Sequence, residues 1–84
     1  MITAAVVTFH TSRKDLIRLI DCVLHSSIDK FFIIDNSTND ALREFESTSE
    51  RITYIYSHNL GFGSGHNVAI NRAMDLGCDY HIII

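Results

Sequence analysis

Four short apolar runs, spaced by turn-forming or amphipathic segments, constrain this chain more than any other feature. The first, "ITAAVVTF" (residues 2–9), is β-rich and apolar on both faces, as a strand buried in a parallel sheet would be. "KFFIID" (residues 30–35) and "RITYIYS" repeat the signal, and "YHIII" closes the chain as a fourth run. In the third run Ile52, Tyr54 and Tyr56 alternate with Thr53 and Ile55. Between the first two runs, Ser12 and Asp15 have the spacing of a capping box. That predicts a helix over 13–26, with Leu16, Ile20, Val23 and Leu24 on its inner stripe, widened by Ile17. A short helix over 40–46 carries Leu42 and Phe45. A third, over 65–76, turns Ala69, Ile70, Ala73 and Met74 inward and stops at Gly77, a good residue just past a helix end. The order β-α-β-α-β-α-β predicts an α/β fold: a Rossmann-like, mainly parallel four-stranded sheet with right-handed crossovers and helices on both faces.

Size and charge narrow the function. A chain of 84 residues is one small domain or part of one, and its core is expected to be thin. The net charge of -3 and the lack of any basic run argue against a nucleic-acid partner. Cys22 and Cys78 have no metal-ligand spacing, and Cys22 falls within a helical apolar pattern, so a buried, reduced thiol is expected. No apolar segment is long enough to span a bilayer and no basic region precedes the first run, so the expected compartment is the cytoplasm.

Ligands of parallel sheets sit beyond the carboxyl ends of the strands, which makes three loops candidates: 10–12, 35–39 and 57–65. Asp35 ends the second strand, where its carboxylate can meet a ribose hydroxyl or base N–H, or simply cap the next turn; Asn36 and Ser37 share that ambiguity. Thr8, Phe9 and His10 end the first strand and suit the edges of a planar base, or else are core, β-propensity and solvated surface. The third loop, "NLGFGSGHN" (residues 59–67), is glycine-rich but fails both standard phosphate cradles. His66 stands where a dinucleotide fingerprint has its third glycine, the loop follows the third strand and not the first, and it lacks the lysine of a Walker loop. A plain turn and a backbone that passes close to a ligand remain as readings. No spacing among His58, His66 and His81 reads as a metal site, and His25, near the end of the first helix, suits its dipole.

Taken together, "VVTFH", "IIDNSTND" and "NLGFGSGHN" resemble, in order and spacing, the three opening motifs of family 2 glycosyltransferases of the GT-A type, the rhamnosyltransferase-like enzymes among them. Phe9 stands for the family's tyrosine and His10 for its asparagine. The resemblance covers essentially the whole chain and implies a site for a nucleotide-diphosphate sugar. By position, Thr8, Phe9 and His10 would line the nucleoside pocket and Asp35 would bind base or ribose. Asn36 and Ser37 would shape the rim; Asn59, Gly61, Gly63, Gly65 and Asn67 would form the wall under the nucleotide.

The resemblance also implies what lies elsewhere. The family's acidic motif, which holds a divalent cation (Mg or Mn) on the diphosphate, would follow the fourth strand, and no cation ligand is assignable among these residues. Asp79 starts that strand and so belongs to its opposite end. The acceptor glycan's site and the general base would also lie further on. The expectation is therefore a truncated nucleotide-sugar-binding segment, residues 1–84, inactive by itself, of an enzyme of polysaccharide biosynthesis working in the cytoplasm or at the inner face of the membrane. Two other readings stand beside it: a non-catalytic nucleotide-binding module, and an α/β unit that self-associates through the sheet edge that "HIII" leaves uncovered.

Overall fold

A computed structural model describes residues 1–58 and 61–84, Phe62 by its backbone alone. The element order is β1 (Ile2–Thr8), α1 (Arg13–Leu24), β2 (Lys30–Asp35), a 3-10 helix (Arg43–Thr48), β3 (Ile52–Tyr56), α2 (Phe62–Asp75) and β4 (Tyr80–Ile83). All neighbouring strands pair in parallel, in the order β3-β2-β1-β4. The predicted α/β fold is the one observed. The chain leaves β1, fills the sheet outward to β3, then returns through α2 to the other side of β1.

Period two sorts the strands onto two faces. On one face Ala4, Phe31, Ile33, Ile52 and Tyr54 pack with Leu16, Ile20 and Val23 of α1, and with Leu42 and Phe45 around the 3-10 helix. On the other, Ala5, Val7, Phe32 and Ile34 pack with Ala69 and Ala73 of α2. Helices thus cover both faces, as expected, but with different depth. α1 presents large side chains, whereas α2 presents alanines and sits close. Gly65 marks that closeness: a Cβ there would lie 3.0 Å from Val7 Cγ2 and 3.2 Å from Val7 Cγ1.

The ends and outer faces of the helices differ from the sequence expectation. α1 stops at Leu24, where His25 is the cap residue and Ser26 donates its hydroxyl to the Val23 carbonyl. Ser12 does cap its start, accepting from the Asp15 amide at 3.1 Å. The short helix is 3-10, and α2 begins a turn early at Phe62 because Gly61, at φ 86°, supplies the left-handed residue that lets the chain enter it. Ile17 and Met74 are exposed, not inward, because a four-stranded sheet leaves only a narrow seat for each helix. Cys22 is also exposed: it lies two positions beyond Ile20, off the buried stripe. Both cysteines are free.

The amino end of the sheet is tied by polar bonds to backbone. Arg51, just ahead of β3, donates to the carbonyls of Leu24 (2.8 Å), Val23 (3.1 Å), Ser26 (3.2 Å) and Ile28 (3.0 Å from Nε). One guanidinium therefore closes the C-terminal end of α1, where a cation also suits the helix dipole. The two edges of the sheet differ as well. The 3-10 helix lies over β3, and its Glu46 accepts the Tyr54 N–H at 3.3 Å. β4 has no such cover among the described residues, and Tyr80, Ile82, Ile83 and Ile84 are exposed along it. No helix among the described residues is long and apolar enough to cross a membrane.

Candidate functional site at the carboxyl end of the sheet

Parallel register brings the strand ends together. Thr8 is the register partner of Asp35, and Asp35 that of Tyr56. Period two puts Thr8, Asp35 and Tyr54 on the α1 face, so their polar ends meet under the loops that leave β1 and β2. Asp35 is fully buried, and its carboxylate is bonded on both oxygens. Oδ1 accepts from the Thr8 hydroxyl and from the Ser37 amide, each at 3.0 Å, and Oδ2 accepts from the Tyr54 hydroxyl at 2.5 Å. The Ser37 bond is an Asx turn, so the capping role open to Asp35 in the sequence is realised. The other two bonds go beyond capping, and Asp35 also lines a cleft.

Burial, and then the bond to Asp35, hold the Tyr54 phenol well above its ordinary value, so it remains a proton donor. Its ring carries the Arg43 guanidinium 5.1 Å above its centre, and Asp40 in turn accepts from Arg43 Nε at 2.9 Å.

A second set of bonds ties the loops to each other. The His10 amide donates to Ser37 Oγ at 2.7 Å, and the Thr38 hydroxyl lies 3.1 Å from His10 Nε2. His10 has φ 48°, a left-handed conformation that asparagine and histidine tolerate better than most residues. Asn36 and Ser57 are buried beside them: the Ser57 amide and hydroxyl both reach the Asp35 carbonyl, at 2.8 and 3.0 Å, and the hydroxyl also contacts Asn36 Oδ1.

Above this floor opens a cleft of about 210 Å³, lined by His10, Thr11, Arg13, Asp35, Ser37, Asn39, Ala41 and Leu42. Arg13 closes one side. Its guanidinium pairs with Glu44 and lies 5.0 Å over the Phe45 ring, which couples the start of α1 to the 3-10 helix. Phe9 stands at the end of β1 with 52% of its surface exposed, its ring meeting that of His10 edge-on at 4.8 Å. An exposed aromatic ring beside buried, pre-oriented acceptors is an arrangement that can stack a planar group and read its edge.

The predicted residues divide accordingly. Thr8, Asp35, Asn36 and Ser37 form the buried floor, and Phe9 and His10 the exposed lip. The glycine segment lies on the other face, since Gly65 packs on Val7 and Ile34. Its glycines have three different surroundings. Gly65 is pressed on the sheet; at Gly61 and Gly63 no described atom lies within 4 Å of where a Cβ would stand, but Gly61 is held at φ 86° and Gly63 is helical. Asn67 is exposed on α2, and Asn59 lies outside the described residues. Sequence reasoning missed Tyr54 and Arg13, and placed Ser57 and Asn39 only as members of candidate loops. Tyr54 was visible as an inward position of β3, but alternation gives a side chain's face and not its reach.

Among the described residues no group of three or more His, Cys, Asp or Glu side chains is placed to hold a metal, and Asp35 already accepts from three protein donors. Compared with models of known protein families, with curated proteins and with solved structures, the chain gives no match.

Proposed function

We propose that the carboxyl end of this sheet binds the nucleoside portion of a nucleotide-diphosphate sugar, and that the chain is the donor-binding part of a family 2, GT-A-type glycosyltransferase serving a glycan or polysaccharide acceptor. The observation that carries this reading is the convergence of Thr8, Asp35 and Ser37 into one bonded floor beside the exposed Phe9 ring. Two of the three motifs behind the family resemblance, "VVTFH" and "IIDNSTND", supply that floor and lip. The departure at His10 also makes sense: the family's asparagine and this histidine both tolerate the left-handed backbone found there.

In this reading Phe9 stacks the base, the Asp35 floor accepts from its edge, and Gly63 offers backbone without a side chain in the way. The chain's own residues bind and orient the donor. Sugar transfer also needs a base for the acceptor hydroxyl and a cation for the leaving diphosphate, and no described residue is assigned to either. Transfer by this chain alone is not expected.

Calorimetric titration with uridine, thymidine, guanosine, cytidine and adenosine diphosphates tests the proposal. At least one is expected to bind saturably, one per chain. Phe9→Ala is expected to weaken that binding roughly tenfold or more, as loss of one base–aromatic stack does, with little change in melting temperature. No binding of any of the five at millimolar concentration contradicts the reading.

A second reading is favoured by a separate observation, the bare β4 edge with its exposed Tyr80, Ile82, Ile83 and Ile84. A strand edge of that kind pairs with another chain. Self-association through β4 is expected to show as a dimer or larger species in light scattering, returned toward monomer by Ile82→Lys. A strict monomer at high concentration contradicts it.

A further inference from the structure

Two buried ring nitrogens have no hydrogen-bond partner among the described residues: His66 Nδ1 and His81 Nε2. Both lie in the thin layer between α2 and the sheet. His81 is the register partner of Thr3, so it shares the face of Ala5 and Val7 on which α2 packs. His66 follows Gly65, the residue pressed on Val7. A buried polar atom without a partner is uncommon, and two in one layer call for a reason.

We propose that His66 and His81 form an acid-sensitive latch: the protons they take up drive α2 off the sheet, and with α2 the glycine wall of the nucleotide site, while the Asp35 floor stays in place. The proposal rests on the nucleotide-binding reading above and adds regulation of that site by pH.

A protonated imidazole donates from both nitrogens. In the closed layer the added N–H finds no acceptor, so the charged ring is disfavoured there and favoured once α2 opens. The surroundings do not offset this. β1 contributes the Thr3 hydroxyl, 2.6 Å from His81 Nδ1, and the partly buried Cys78 thiol precedes β4. Under α2, β2 contributes Phe32 and Ile34. Arg72 and Asp75 of α2 line a cleft with Lys30 and Thr53, on the flank away from β4, and Asp79 pairs with the Met1 amino group. No carboxylate bonds either ring among the described residues. Burial first, and His66 second, hold the His81 ring below the ordinary histidine value. The layer is also thin where it must give: α2 buries Ala69 and Ala73, whereas α1 buries Leu16, Ile20 and Val23.

Amide hydrogen exchange followed by NMR from pH 7.5 to 5, corrected for the intrinsic rate, reads the opening of α2 without any ligand. One proton taken up on opening changes the opening equilibrium by at most about tenfold per pH unit, and two by about a hundredfold. As pH falls below about 6.5, residues 68–74 of wild type are expected to lose protection by more than tenfold per unit, with α1 and β2 protected as before. His66→Leu and His81→Phe each remove one proton, and each is expected to bring the slope to tenfold or less. A wild-type slope of tenfold or less, a slope unchanged in both variants, or α1 opening together with α2 overturns the latch.

Calorimetric Kd values at pH 7.5 and 5.5, for whichever nucleoside diphosphate binds best, read the effect on the site. From pH 7.5 to 5.5, wild type is expected to weaken about threefold or more beyond the double variant, a comparison from which the nucleotide's own titration cancels. Equal weakening in both overturns the latch as a control of the site. If the double variant does not fold, wild-type exchange decides: at pH 5.5 saturating nucleotide is expected to restore protection to α2, and α2 amides indifferent to it overturn the proposal. No nucleotide binding at pH 7.5 defeats the nucleotide-binding reading itself and the control of that site with it, a result distinct from binding that acid weakens equally in wild type and variant.

Discussion

At the amino end of the sheet, Arg51 donates to the carbonyls of Val23, Leu24, Ser26 and Ile28, Asp29 accepts the Ile2 amide at 2.7 Å, and Asp79 pairs with the Met1 amino group at 2.6 Å. At the carboxyl end the polar groups bond to one another's side chains as well as to backbone: Thr8 and Tyr54 to Asp35, Thr38 to His10, Ser57 to Asn36. Both ends are rich in hydrogen bonds, but the first set closes backbone that would otherwise be unsatisfied. The second holds a carboxylate in a fixed orientation under an open cleft, next to left-handed residues at His10, His58 and Gly61. Dense polar contacts alone therefore do not mark a site. The amino end also has a cleft, larger at about 450 Å³, an exposed ring at Tyr80 and a left-handed glycine at Gly77. What distinguishes the carboxyl end is a carboxylate held by side chains in the lining of its cleft, and non-glycine residues, His10 and His58, in left-handed backbone.

If the amino end is purely structural, breaking it should cost stability and leave ligand binding alone. Arg51→Met is expected to destabilise the fold by about 3 kcal/mol, because several charged hydrogen bonds go and the end of α1 loses its cap. The shift in urea midpoint measures it, and nucleotide affinity extrapolated to native conditions should be unchanged. An affinity loss as large as that of Phe9→Ala would erase the distinction between the two ends.

The glycines sharpen the comparison with a smaller effect. Gly65→Ala brings a methyl within 3.0 Å of Val7 and is expected to cost about 1–3 kcal/mol. Gly63→Ala meets nothing within 4 Å among the described residues and lies inside α2, so it is expected to stabilise by about 0.5–1 kcal/mol. The same substitution should weaken nucleotide binding if the ligand passes over Gly63. Thermal melts and titrations of the two variants read both effects, and a Gly63→Ala protein that binds as tightly as wild type removes Gly63 from the site.

The smallest effect concerns acid. His81, on β4, bonds through Nδ1 to the Thr3 hydroxyl at 2.6 Å. Burial, with His66 on α2 as a lesser cause, lowers its pKa below the ordinary histidine value. The folded state thus disfavours the charged ring, and the unfolded chain takes up the proton first as pH falls. Stability is expected to be fully present above about pH 6.5 and to decline from there down through the lowered folded value. Denaturation midpoints measured from pH 7.5 to 5 should show this slope in wild type and a shallower one in His81→Phe. Equal slopes would remove His81 from the pH response.

The sheet, its parallel sense and both helical layers were legible because apolar runs and helical stripes alternate without interruption. That Thr8 and Asp35 come together was legible too, since both close their strands and parallel register does the rest. Sequence could not show that Asp35 would be held from three sides, because Tyr54 lies 19 positions away and nothing local links them. Arg51 was invisible for a related reason: a cation ahead of a strand has no signature until the end of α1 is folded beside it. The glycine segment read as one feature and resolved into three, a turn, a packing contact and an open position, which only neighbours in space can separate.

The central claim, that the carboxyl end and not the amino end is the ligand site, is tested most directly by NMR titration of the ¹⁵N-labelled chain with nucleoside diphosphates. Amide shifts are expected to change in a saturable way at Phe9, His10, Asn36, Ser37 and Gly63, with Arg51, Asp29 and Asp79 unmoved. Saturable changes centred on Arg51 and its neighbours, or none anywhere at millimolar nucleotide, would contradict it.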